Sequence, residues 1–86
     1  MTARLPTARG ISSLLGRSGY DRYHSTLTRV WPGYRVTTDA PGKVRVDHAG
    51  GGDRDGMRDQ YAAAIRNAGW TVEERDHCLL VTAKEN

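Results

Sequence analysis

With 86 residues, 37% of them hydrophobic, no Phe and a formal charge of +3, the chain fits one small domain whose single core leaves only a few kcal/mol of net stability. No apolar run reaches the roughly 20 residues of a membrane span. The start MTARLPTARG has no apolar signal core, and one cysteine, Cys78, cannot staple a fold. The expectation is a cytoplasmic protein with no membrane contact.

The charge is unevenly placed. Residues 1–36 carry Arg4, Arg9, Arg17, Arg22, Arg29 and Arg35 against Asp21, a balance of +5, whereas residues 37–86 carry seven bases against nine acids, a balance of −2. A basic end on a near-neutral body suits a polyanion partner. Eleven arginines against two lysines is also what a GC-rich genome writes at any exposed position.

In chain order, residues 1–6 read as a flexible N-terminus and 7–86 as a single α+β domain. Thr7 can cap a helix over about 7–18, in which Ile11, Leu14 and Leu15 recur at helical spacing. Gly19 followed by Tyr20 is a helix-stop signal. From Asp21 to Gly33 there is no clear period, so this segment reads as an irregular connection. Its apolar residues Leu27, Val30 and Trp31, with Tyr20 and Tyr34, are expected to anchor it to the core.

YRVTTDAPGKVRVDH predicts a hairpin of strands at about 34–38 and 43–48. A two-residue Pro41-Gly42 loop would put the apolar residues of the two strands on opposite faces. An odd loop, Ala40–Gly42, instead pairs Val36 with Val46, Thr38 with Val44 and Tyr34 with His48. On the other face it sets Arg35 against Asp47, Thr37 against Arg45 and Asp39 against Lys43.

Asp53 or Asp55 then caps a helix over about 54–68, whose stripe is Met57, Tyr61, Ala64, Ile65 and Ala68. Gly69-Trp70 ends it. A second hairpin follows, with strands at about 70–75 and 78–83 turning around Asp76-His77. Trp70, Val72, Leu79 and Val81 face inward, and Leu80 and Cys78 face outward. The order α-β-β-α-β-β predicts a four-stranded, largely antiparallel sheet with the main helix on one face. The Leu80 face then needs a cover, expected to be the first helix and its following segment.

Three chemistries are open to the chain. Nucleic-acid binding would use Arg4, Arg9, Arg17, Arg22 and Arg29, with neither a helix-turn-helix nor an RRM pattern present. A metal site would draw on His24, His48, His77 and Cys78, but C-x-x-C and H-x-x-x-H are absent, so neither a metal nor a cofactor is expected. Metal-free ribonuclease chemistry would make His24 a general base, with Arg22 or Arg29 steadying the phosphate. Cys78, or Ser25 beside His24, lacks the turn and oxyanion-hole context of a nucleophile.

ARGISSLLGRSGYDR, GYRV and IRNAGWTVEER…LLVTA resemble, in this order and over most of the chain, small proteins scattered through actinobacterial chromosomes, plasmids and phages. That resemblance implies a source and a phage or mobile-element accessory context, not an activity. LLGRSGY and GMRDQYAAAIRNAGW are also similar, more weakly, to HicA-type toxins, which are small RNA-cleaving proteins with a double-stranded-RNA-binding-like fold. This similarity implies that His24 is the catalytic histidine. The family's Gly-Ser-His box is replaced here by YHST, and two further strands follow the second helix.

Taken together, the sequence leads us to expect a small non-catalytic accessory or regulatory protein that engages nucleic acid through its basic N-terminal third. A module pairing with a protein partner or a second copy through the sheet is the alternative, followed by a His24-dependent ribonuclease.

Overall fold

The computed structural model describes residues 5–83. Arg4 and most of the expected flexible start lie outside the described residues. Of that start, Leu5 is exposed and Pro6 is buried.

Helix α1 (Ala8–Arg17) begins where the Thr7 hydroxyl accepts from the Gly10 amide at 3.0 Å. It ends with the Gly19 amide donating to the Gly16 carbonyl and the Tyr20 amide to that of Leu15. Helix α2 (Arg54–Asn67) repeats this plan. Asp53 caps it by accepting from Gly56 at 3.1 Å, and Gly69 and Trp70 close it through Arg66 and Ile65. These bonds satisfy amides and carbonyls that a helix end otherwise leaves bare.

Between the helices lie β1 (His24–Ser25), β2 (Val30–Trp31), β3 (Gly33–Ala40) and β4 (Lys43–Ala49). After α2 come β5 (Thr71–Glu74) and β6 (Leu79–Thr82). The main sheet has the antiparallel order β3-β4-β6-β5, while β1 and β2 form a separate two-stranded ribbon. The class is α+β, as the element pattern predicts.

The first hairpin adopts the expected register, with Tyr34 opposite His48, Val36 opposite Val46 and Thr38 opposite Val44. The odd residue is absorbed differently, however. Ala40 pairs with Lys43 across a tight Pro41-Gly42 turn, and the register shifts between Thr38 and Ala40. Such a shift lets one strand carry an extra residue without flipping its apolar face. On the outer face Arg35 is opposite Asp47 and Thr37 opposite Arg45, as expected. Asp39 departs from the expected plan: Lys43 is opposite Ala40, and Asp39 binds Arg45 at 2.6 Å. Arg35 also lies over the Tyr23 ring.

The second hairpin sets Val72 opposite Val81 and Glu74 opposite Leu79, closed by the Arg75 amide donating to Cys78. Val44, Val46, Leu79 and Val81 thus share one face, against which Tyr61, Ala62 and Ile65 of α2 pack. Each such side chain contributes roughly 1.5–3 kcal/mol when removed from water.

Helix α1 lies on that same face, which corrects the expectation that it covers the other one. Ile11 and Leu15 are fully buried in the cluster holding Tyr61, Ile65 and Val46, and α1 touches both β3 and α2. Val44, Val46, Leu79 and Val81 form a wider apolar patch than α2 alone can shield, so the second apolar helix goes beside the first. The Leu80 face carries neither helix. Leu80 is itself buried, with Arg45 and Glu73 directly across the ladder on either side. Long charged side chains of this kind cover apolar surface with their stems.

Leu27, Val30 and Trp31 are also placed differently from the expectation. All three are exposed: Leu27 completely, Val30 at 51% and Trp31 at 38%. The segment anchors itself instead through Tyr20 and Tyr34, both packed on Tyr61.

Candidate nucleic-acid interface

Residues 21–23 are tied to the outer edge of β3. The Tyr34 amide donates to the Asp21 carbonyl and the Tyr23 amide to the Tyr34 carbonyl, both at 2.9 Å. Gly33 is what allows this approach, because a Cβ there would collide with the Asp21 carbonyl oxygen and the backbone of Arg22 and Tyr23. On the inner side, the buried Tyr34 hydroxyl donates to the Ser12 carbonyl at 3.1 Å, fixing the middle of α1 over the same strand.

These attachments bring Arg9 from α1, Arg22 from the tied segment and Arg35 from β3 around one cleft of about 650 Å³. Ser12, Ser13 and Tyr23 also line it, and no acidic residue does. Among the described residues the ion pairs are Arg45–Asp39, Arg58–Asp55 and Arg75–Glu73, so the three cleft guanidiniums carry no carboxylate partner. Arg35 sits 5.7 Å from the centre of the Tyr23 ring, a contact that leaves its N–H groups available.

The chain then leaves the body as an arm. β1 and β2 pair His24 with Trp31 and Ser25 with Val30. The turn between them is held by the Thr26 amide donating to Arg29 at 2.7 Å and the Thr28 amide to the Thr26 hydroxyl at 3.4 Å. Gly50 braces the base, since a Cβ there would lie 2.8 Å from Pro32 Cα and 3.1 Å from a Val30 methyl. The His24 ring is tilted against Trp31 with centroids 5.0 Å apart, and the Arg29 guanidinium lies 5.0 Å from the same indole.

The arginines singled out in the sequence therefore do not form one surface. Arg9 and Arg22 share the cleft, joined by Arg35, which charge pairing in the hairpin assigned elsewhere. Arg29 is on the arm. Arg17 lines a separate cleft of about 180 Å³ with Leu14 and Trp70. Arg4 is outside the described residues. His24 is exposed on the arm, and among the described residues no hydrogen bond orients its ring. No group of three His, Cys, Asp or Glu among the described residues is placed to hold a metal ion.

Two polar residues are buried within the body, His48, weighed in the sequence only as a metal ligand and as the partner of Tyr34, and Arg58, which was not singled out. His48 is buried, with Nδ1 2.7 Å from the Tyr61 hydroxyl and Nε2 2.8 Å from the Gly51 carbonyl. A carbonyl only accepts, so Nε2 carries the proton and Nδ1 accepts from Tyr61. Burial, with the nearby Tyr20, Asp21, Tyr34 and Asp47 adding to it, pushes Tyr61 up to about 12 and keeps it a donor. The second is Arg58, buried on α2, which binds Asp55 and donates to the Asp76 carbonyl at 3.1 Å, fastening the β5–β6 turn. The parity of β4 already marked His48 as inward-facing; for Arg58 the sequence held no such signal.

On the Leu80 side, Arg35, Thr37, Arg45, Asp47, His77 and Cys78 border a groove of about 420 Å³, so Arg35 lies between this groove and the cleft. The groove's lining mixes both charge signs. No described helix is long and apolar enough to cross a membrane. Compared with family models, curated proteins and solved structures, the chain has no match.

Proposed function

We propose that this protein binds nucleic acid, gripping the sugar-phosphate backbone in the cleft between α1 and the edge of β3, and that it acts as an accessory or regulatory protein without catalysing a reaction. The observation that carries the reading is the convergence of Arg9, Arg22 and Arg35 on one cleft free of acidic side chains. Guanidiniums match phosphate oxygens in geometry as well as charge. Ser12 and Ser13 add hydroxyl donors of the kind that fix register on a backbone. The cleft is built by three elements, so its charges are pre-positioned rather than gathered on binding.

The test is oligonucleotide affinity as a function of salt. Displaced counterions make log K fall by roughly 0.7–0.9 per phosphate neutralised for each decade of salt. The variant Arg9→Gln/Arg22→Gln/Arg35→Gln should lose about two to three from that slope, whereas Arg17→Gln should leave it within about one. Wild-type protein with no measurable affinity for DNA or RNA at low salt would overturn the proposal.

A further inference from the structure

We infer that the β1–β2 arm is a base-stacking finger, so that the preferred ligand is single-stranded or locally unpaired nucleic acid rather than continuous duplex. This rests on the phosphate-cleft reading above and adds the class of strand to it.

The two-residue alternation of the ribbon carries the first part of the argument. His24 is directly opposite Trp31, so their side chains share one face of the ribbon, and the guanidinium of Arg29, from the turn just before β2, lies over the same indole. Ser25 and Val30 take the other face, where Val30 meets Gly50 at the base. One face is thus spent on bracing the arm, and the other presents an indole flanked by an imidazole and a guanidinium within 5.0 Å. At 38% exposure Trp31 is half shielded by these neighbours and half available. Buried indoles serve cores; a partly exposed one held between an imidazole and a guanidinium offers aromatic surface to a planar, electron-rich ring.

Charge complementarity points to the occupant. From Arg22 to Thr38 the sequence contains no acid, so the arm and the adjoining strand present cations and aromatics with no competing carboxylate. The arm also starts at the cleft. Arg22 lines the cleft and His24 opens β1, a separation of at most about 7 Å along the chain. A strand whose phosphate sits between Arg22 and Arg35 therefore brings its next base to the Trp31 face. In a duplex that base is stacked within the helix and cannot reach the indole, whereas an unpaired base can. A lipid surface or protein groove would engage Leu27 at the tip, but would leave the acid-free cleft beside it unused.

The experiment uses the full chain and two probes of about twelve nucleotides, an oligo-dT and a duplex of mixed sequence. In a Trp70→Phe background Trp31 is the only indole, since the chain has two Trp, and its fluorescence reports stacking directly. Oligo-dT should quench it even at salt concentrations where binding is driven to saturation by excess ligand, and the duplex should not. Trp31→Ala should weaken oligo-dT binding about tenfold, the size of one lost base stack, while changing duplex binding less than about twofold. Trp31→Tyr, which restores an aromatic platform, should recover most of the loss, and thermal melting controls for a collapsed arm. Equal binding of duplex and oligo-dT with unquenched Trp31 overturns the finger but leaves the cleft standing, and absence of binding to both probes removes the cleft reading itself. Trp31 quenched by anionic vesicles and untouched by oligo-dT also overturns the finger.

Discussion

The Tyr61 hydroxyl donates to Nδ1 of His48 at 2.7 Å in the centre of the protein, and Nε2 of that ring donates in turn to the Gly51 carbonyl at 2.8 Å. This short relay ties the main helix, the central strand β4 and the glycine-rich link between them, and its Tyr61–His48 bond is buried. An unmade bond in such a place costs more than a made one contributes, because the orphaned partner stays desolvated.

Tyr61→Phe removes the donor and leaves Nδ1 of His48 bare. The expected loss is about 1–3 kcal/mol, read by urea denaturation. Adding His48→Phe to it should cost less than the sum of the two single changes, since the second removes the group that the first has orphaned. Additive losses would mean that the relay contributes nothing as a unit.

The same hydroxyl makes stability depend on alkaline pH. Tyr61 ionises near its ordinary value of 10.0 in the unfolded chain and only at about 12 in the folded one. Below pH 10 both states hold the proton and stability is complete. Between 10 and 12 the unfolded state releases it first, so unfolding becomes progressively easier, by an amount of the order of 2–3 kcal/mol. Denaturation midpoints should fall across this window in the wild type and stay flatter in Tyr61→Phe.

Gly33→Ala places a methyl group against the Asp21 carbonyl and the backbone of Arg22 and Tyr23. Backbone cannot rotate aside as a side chain does, so the tied segment must move away from β3. A stability loss of about 1–3 kcal/mol is expected, together with weaker oligonucleotide binding, because Arg22 leaves the cleft with its segment. Unchanged binding in the folded variant would show that Arg22 does not depend on this attachment.

Two leucine-sized side chains of the N-terminal half should behave oppositely. Leu27→Ser, at the fully exposed tip of the arm, should change stability by less than about 0.5 kcal/mol. Ile11→Ala, at 1% exposure on the inner side of α1, should cost about 2–5 kcal/mol. Thermal or urea melts of the two variants separate the arm from the core.

Local chemistry carried much of this architecture into the sequence. Thr7, Asp53, Gly19-Tyr20 and Gly69-Trp70 mark the helix ends because capping is decided within a few residues. The pairing of Val36 with Val46 was legible because only one register keeps both apolar rows on one face. Placement that depends on distant parts of the chain left no such local mark. Leu27, Val30 and Trp31 carry the hydrophobicity of core residues, and nothing adjacent to them reveals that Ile11, Leu14 and Leu15 already fill the space available. The side of the sheet taken by α1 was likewise hidden, since it depends on how wide a patch α2 leaves uncovered. The cleft was half legible: the sequence supplied Arg9 and Arg22, but that Arg35 stands beside them depends on the docking of residues 21–23 on the edge of β3, which no local pattern encodes.

The strand order β3-β4-β6-β5 carries a consequence for how the chain is made. β6, the last strand in sequence among the described residues, lies between β4 and β5. A ribosome therefore releases α1, the arm, the first hairpin and α2 before the strand that completes the middle of the sheet exists. Until Leu79–Thr82 emerges, β4 has one bare edge and the apolar row under α2 stays open to water. Unpaired edges of this kind recruit other chains, so the nascent protein is at its most adhesive just before β6 emerges.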